Sequence, residues 1–287
     1  MNTSFTTAVW FMGLCAVGMA CAAPSAAPET PAANHTPFQG TPGHAGFVWA
    51  LGASVGNGAT YPGSERRGTG ISPVIGLALG RYTLSTGGGG ALLDRDLDRA
   101  DSGISARLVD QGKLRLSTSL RWGGGRSVGD EPRLQGLPDV RRTLRLRAAL
   151  IYDVDERWSL RSSLSQDLLG RGSGAVLNNT ARYELNLAPG TELSLVAGVH
   201  LANSTHMNSF FGVPVALSGV TTPLPAFHAR AGMHSTEIGM DWRHNLHHHW
   251  VLLGGWRYTQ LRGDARRSPL TLKPNNYGVS IGLAYRY

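Results

Sequence analysis

The last thirteen residues, NNYGVSIGLAYRY at positions 275–287, decide the fold. Their odd positions are Tyr277, Val279, Ile281, Leu283, Tyr285 and Tyr287, and their even positions Asn276, Gly278, Ser280, Gly282, Ala284 and Arg286. Successive side chains of a strand point to opposite faces, so one face here is wholly apolar and aromatic while the other is small or polar. A strand of a water-soluble sandwich shows similar alternation. An outer-membrane barrel places the apolar face in lipid, aromatics at the two interfaces, and the small and charged face in the lumen.

Working outward from this segment, alternation predicts strands near 46–56, 70–80, 81–87, 103–109, 113–122, 142–153, 157–168, 174–187, 191–203, 231–244, 249–261 and 275–287, about twelve in all. Tight links at 80–81, 110–112, 154–156, 188–190 and 245–248 take turns with longer ones at 57–69, 88–102, 123–141, 169–173, 204–230 and 262–274. Barrels have short turns at one end, longer loops at the other and an even strand count. The expected architecture is therefore an all-β transmembrane antiparallel barrel with both termini periplasmic. It depends on 81–87 and 103–109 being two strands, since one interrupted strand would make the count odd.

The faces agree from strand to strand. Leu114, Leu116, Leu120 and Trp122 alternate with Arg115, Ser117, Ser119 and Arg121, and Leu144, Leu146 and Leu150 alternate with Arg145 and Arg147. An arginine on the lipid face near mid-membrane costs about 2–4 kcal/mol, which accounts for its confinement to one side. The expected lumen lining is Arg107, Arg115, Arg121, Arg145, Arg147, Arg161, Arg182, Arg257 and Arg286 with Asp167, Glu184, Glu192, Glu237 and Asp241. Such a lining selects anions if the lumen is open. In a narrow barrel the same arginines pair with the carboxylates and fill the interior.

The chain of 287 residues is only 16% charged and holds 38 glycines, which suits many short strands and turns. Its net charge of +8 comes from arginines spread singly through alternating segments, so no nucleic-acid partner is expected. Residues 8–20 form an uncharged apolar run followed by Ala20-Cys21-Ala22, read as a cleaved signal over 1–23. Cys15 and Cys21 are the only cysteines, so cleavage there leaves no thiol; the alternative is a lipidated Cys21. Residues 24–45, rich in Pro and Ala, read as a periplasmic leader to a barrel over 46–287.

Motifs for chemistry are sparse. His244, His247, His248 and His249 gather at an expected turn, with His247 and His249 on one strand face as candidate metal ligands. The bland alternative is an exposed turn with incidental histidines. No G-x-S-x-G, HExxH or complete G-x-G-x-x-G occurs, so neither enzymatic activity nor a cofactor is expected. The longest connection carries Phe210, Phe211, Val213 and Phe227, which either meet a partner or pack into the barrel mouth.

Several local runs together resemble the MipA/OmpV family of outer-membrane proteins. They are NSFFGV at 208–213, Trp242, WRYTQLRGDARRSP at 256–269, the terminal GLAYRY, and Tyr61-Pro62-Gly63-Ser64. The positions that carry the likeness are Tyr61, Gly63, Ser64, Phe211, Gly212, Gly263, Asp264, Ser268, Pro269, Tyr285 and Tyr287. The chain departs from the family at Pro214, Pro223 and Pro225, and ends on Tyr where the family usually has Phe. The resemblance implies a barrel in outer-membrane lipid. It also implies a scaffold role, holding a lytic murein transglycosylase near a bifunctional penicillin-binding protein in cell-wall synthesis, while other members look like adhesins or small-solute pores.

Overall fold

A computed structural model describes residues 47–93 and 103–287; the expected signal segment 1–23 and leader 24–45 lie outside the described residues. The strands are β1 (Phe47–Ala59), β2 (Arg67–Leu79), β3 (Tyr82–Thr86), β4 (Gly103–Gln111), β5 (Leu114–Gly123) and β6 (Thr143–Asp153). They continue as β7 (Trp158–Asp167), β8 (Ala175–Ala188), β9 (Thr191–Ala202), β10 (Gly232–Asn245), β11 (Trp250–Leu261) and β12 (Asn275–Arg286). Short helices α1 (Gly90–Leu93), α2 (Ser204–Phe211) and α3 (Gly263–Arg267) lie in three of the long connections. Each strand pairs antiparallel with its sequence neighbours, and β12 returns to β1, closing a barrel of twelve strands.

The regions 81–87 and 103–109 are two strands. β3 pairs with β2 over Ile75–Leu79 and with β4 over Gly103–Ala106, so the even count holds. β2 starts at Arg67, earlier than position 70, because its hairpin with β1 runs on to the Ala59–Arg67 pair. Polar contacts support that extension: Asn57 donates to Thr69 at 2.8 Å and Arg67 Nε to Asn57 Oδ1 at 2.7 Å. The earlier start corrects the rule that arginine keeps to one face. Arg67 lies on the outer face at the loop rim, its guanidinium 3.9 Å above the Tyr277 ring.

Outer residues stay exposed, among them Ile71, Trp122, Leu150 and Ile281, whereas inner ones such as Ser163 and Ala284 are buried. A water-soluble fold would hide the first set; hydrocarbon is where it belongs. Aromatic residues mark both borders. Tyr82, Tyr152, Trp158, Trp250 and Tyr285 lie near the tight turns, and Trp122, Tyr258 and Tyr277 near the loops. Trp158 packs tilted against Tyr183 at 4.8 Å between centroids, a cross-strand pair of the kind that fixes register.

Inside, α1 lays Leu92 and Leu93 against Ala50, Val74, Val251, Leu253 and Ala284 of β1, β2, β11 and β12. That approach requires Gly76, where a Cβ would sit 2.6 Å from the Gly89 carbonyl oxygen. Nearer the loops, inner-facing Gly70, Ser72 and Ser280 remain accessible and form a lane of small residues along β2 and β12. Reversing the face rule should be costly. Ile281→Arg, at the middle of β12, is expected to lower the unfolding free energy in lipid vesicles by about 2–4 kcal/mol; an unchanged value in denaturant titration would place this face away from lipid.

Candidate functional site

The inner faces of β5 to β8 build a basic wall from strand register. Arg121 lies opposite Arg145, which lies opposite Asp167; Ser119, Arg147 and Ser165 form the next row, and Arg115, Ile151 and Arg161 another. Arg145 is fully committed: Nε donates to Ser165 Oγ at 2.8 Å, Nη1 to the Ser173 carbonyl at 3.0 Å, and Nη2 to the Ser165 carbonyl at 2.9 Å. Arg147 donates to Ser163 Oγ at 2.9 Å. Asp167 accepts from Thr143 and, at 3.0 Å each, from the backbone of Leu169 and Ser173. Charge-assisted bonds of this kind hold a guanidinium in a filled interior.

Ion pairs hold several of the other lining residues. Arg115 meets Asp153 at 2.7 Å, Arg107 meets Asp110 at 3.1 Å, Arg257 meets Asp241 at 2.6 Å and Arg243 meets Glu192. The bulge between Arg107 and Val109 puts Arg107 and Asp110 on one face despite their odd spacing. Arg182 and Glu184 share the inner row of β8, opposite Ser159 and Ser194 respectively. Arg286 donates to Asn245 Oδ1 at 3.3 Å, and Glu237 lies 3.4 Å from His200 Nε2. Asp110, Asp153 and Arg243 were not among the expected lining residues. For Arg243 parity alone would have found it, since it follows Glu237 and Asp241 on the same face.

At the other end the loops interlock across the mouth. Tyr61, Leu134, Leu137, Val213, Leu224 and Leu270 form one buried cluster, and Ala202, Met207, Phe211, Ala229, Leu261 and Ala265 a second. Of the two readings of 203–230, packing into the mouth is the one observed: Phe211 and Val213 are buried, and Phe210 and Phe227 pack against the clusters. The residues that carry the family resemblance are the ties. Tyr61 donates to the Leu270 carbonyl at 3.0 Å, Ser64 to Glu131 at 3.0 Å and Ser268 to the Phe211 carbonyl at 2.6 Å. Asp264 on α3 accepts from the Arg230 backbone at 2.9 Å and from the Arg230 and Arg267 guanidiniums. The Gly63 carbonyl accepts from Leu272 at 2.9 Å, and Gly212 ends α2 with its N–H on the Asn208 carbonyl.

α2 is set in place by Asn203, whose side chain accepts from His206 N at 3.0 Å and from Ala175 N at 3.1 Å. Its His206 donates Nδ1–H to the Ser173 carbonyl at 2.9 Å and stacks on Phe210 at 4.5 Å. The His206 ring lies 5.6 Å from that of His234, which in turn lies 6.0 Å from His200. His234 occupies the bulge between Met233 and Ser235, and a bulge breaks the parity that would have revealed this trio in the sequence.

The turn histidines are engaged separately. His247 meets the edge of His248 at 5.0 Å, while His249 stacks on Tyr285 at 5.1 Å and its Nδ1 faces the Arg286 carbonyl at 3.0 Å. Among the described residues no group of three His, Cys, Asp or Glu side chains is placed to hold a metal ion.

Two charges tie the loop closure to pH. Burial holds His206 down to about 4 from its ordinary 6.5, outweighing the Ser173 carbonyl that favours its protonated form. The Arg230 backbone N–H, then the Arg267 and Arg230 side chains, hold Asp264 below the carboxylate range. Both groups bind protons more readily when unfolded. Their contribution is therefore complete at neutral pH, and is lost first through His206 between 6.5 and 4 and then through Asp264 at lower pH. Amide exchange of α2 in bilayers, corrected for intrinsic rates, is expected to accelerate as the pH falls from about 7 to about 4.5. In His206→Phe that acceleration should be smaller, and an unaltered pH profile in the variant would contradict the assignment.

Solved structures similar to the chain are barrels of the outer membrane. An anion-selective porin from Comamonas acidovorans is 9% identical with a TM-score of 0.38, the match covering 84% of this chain and 98% of that one. The CymD monoaromatic hydrocarbon channel is 10% identical at TM-score 0.40, covering 84% and 88%. The DcaP channel of Acinetobacter baumannii is 7% identical at TM-score 0.37, covering 84% and 96%. No curated protein matches the chain. The family model described as MltA-interacting protein MipA matches residues 51–287, from the first strand through the loop ties to the closing strand, and the chain belongs to that family of outer-membrane barrel proteins.

Proposed function

We propose that this barrel is a scaffold, anchored in outer-membrane lipid, that holds a lytic murein transglycosylase beside a penicillin-binding protein during cell-wall synthesis. The observation that carries it is the interlocked loop end. Two apolar clusters and the ties among Tyr61, Ser64, Phe211, Asp264 and Ser268 join the loops to one another over one mouth, and Arg145 in the basic wall beneath bonds the protein through all three of its nitrogens. A barrel built this way invests in rigidity more than in passage. The family description, an interaction partner of MltA, points the same way.

Partner contact then falls to the end with the tight turns, which in this reading faces the periplasm. Two of those turns are built alike. Val154 N and Asp155 N both bond the Trp158 carbonyl, at 2.9 and 3.4 Å, and Leu246 N and His247 N bond the Trp250 carbonyl at the same two distances. Asp155 Oδ1 further accepts from the backbone of Arg157 and Trp158 at 2.8 and 2.7 Å. Each turn therefore offers an exposed aliphatic tip, Val154 or Leu246, on a rigid base, which suits an enzyme-docking contact.

A second reading, a narrow channel for anionic solutes, rests on the accessible lane of Gly70, Ser72 and Ser280 within the same basic interior. One pair of experiments separates the two. The folded, immobilised barrel is expected to retain a purified lytic transglycosylase and a penicillin-binding protein, and replacing 154–157 and 246–249 with neutral turns should abolish retention while leaving the barrel folded. Absence of retention, together with steady conductance that loses anion preference in Arg121→Glu/Arg145→Glu, would overturn the scaffold and establish the channel.

A further inference from the structure

The outer face of β7 and β8 carries a flaw in an otherwise apolar wall. Outward positions of β8 run Ala175, Leu177, Asn179, Ala181, Tyr183, Leu185 and Leu187, and those of β7 run Trp158, Leu160, Ser162, Leu164 and Gln166. Asn179 pairs directly with Ser162 across the ladder. Leu177 and Ala175 lie on one side of the amide and four apolar or aromatic residues on the other, so it sits inside the lipid band and not at its rim.

Several other outward polar side chains have partners at hand, and Gln111, Gln260 and Asn275, which are not bonded among the described residues, lie at the ends of β4, β11 and β12 and not in the middle of a strand. Thr118 donates to the Arg147 carbonyl at 3.1 Å, Thr86 to the Pro73 carbonyl at 2.9 Å, and Thr236 accepts from Arg262 at 3.2 Å. Asn57 is bound by Arg67 at the rim. Among the described residues, the side chains of Asn179 and Ser162 make no hydrogen bond. A side-chain amide facing hydrocarbon without a partner is costly, because lipid supplies no water to satisfy it.

We propose that this face is where two copies of the chain meet in the membrane, with Asn179 of each copy bonding Asn179 of the other and Ser162 flanking the contact. Three features single out a second copy as the occupant. All copies insert in the same direction, so a two-fold axis along the membrane normal brings a residue opposite its own equivalent at equal depth. A carboxamide carries both donor and acceptor, and two of them can satisfy each other reciprocally. The neighbouring Ala181–Ala197 pair is small, which lets two walls approach closely enough for the amides to bond.

The test is energy transfer between donor- and acceptor-labelled copies in lipid vesicles across a range of protein-to-lipid ratios. The label sits at Lys113→Cys, on a turn, in a chain with Cys15 and Cys21 replaced by Ser. The parent is expected to exceed the transfer given by random proximity, and Asn179→Leu to weaken association about tenfold. Asn179→Gln should retain it, and Leu51→Ala, on β1, should leave it unchanged. Circular dichroism and gel mobility before and after heating verify that each variant is folded. Transfer at the random level in the parent at every ratio, or equal association of the parent and Asn179→Leu, would overturn the proposal.

Discussion

Hydrocarbon offers no partner to a backbone N–H or C=O, and from that constraint the architecture follows. Every strand must find two neighbours, so the sheet has to close on itself. Closure is made by β1 and β12, whose ladder runs from Asn57–Val279 down to Ala50–Arg286 and is continued by the reciprocal bonds of Trp49 and Tyr287 at 3.1 and 2.9 Å. Gly52 lets the two strands lie this close, since a Cβ there would fall 2.1 Å from the Leu283 carbonyl oxygen. With the ladder closed, side-chain parity becomes a sorting rule: one face dissolves in lipid and the other must solve its own polar problem inside.

The interior solves it by commitment. Arg145 bonds serines and carbonyls, Arg147 bonds Ser163, and Arg115, Arg243 and Arg257 pair with carboxylates. A guanidinium suits this task because its planar fork reaches several acceptors at once. The loops complete the enclosure, and the residues that tie them are largely those by which the chain resembles its family. Family membership is thus written in the loop joinery more than in the strands, whose pattern many barrels share.

Most of the strand set was legible because period-two alternation is a local signal, as Leu144 to Tyr152 and Tyr277 to Tyr287 illustrate. What escaped was non-local or broke the period. The start of β2 at Arg67 depends on a hairpin pairing that Gly68 and Gly70 do not advertise. Bulges at Leu108 and His234 shift parity by one, hiding the Arg107–Asp110 pair and the His200–His206–His234 group. The inward folding of 203–230 could be read either way, because a loop has no period and only the contacts of Phe211 and Val213 decide its direction. His247 and His249 show the converse. Two positions apart in sequence, they are engaged separately, His247 against His248 and His249 on the stack of Tyr285 and Tyr287.

The measurement that bears most directly on this arrangement is a fluorophore scan along β12, one cysteine at a time from position 277 to 285, with quenching by brominated lipid chains. Odd positions are expected to be quenched by lipid and even positions to be sheltered from it, with the depth of strongest quenching at Ile281. A scan without two-residue periodicity, or one in which even positions are quenched as strongly as odd ones, would contradict the barrel and everything built on its two faces.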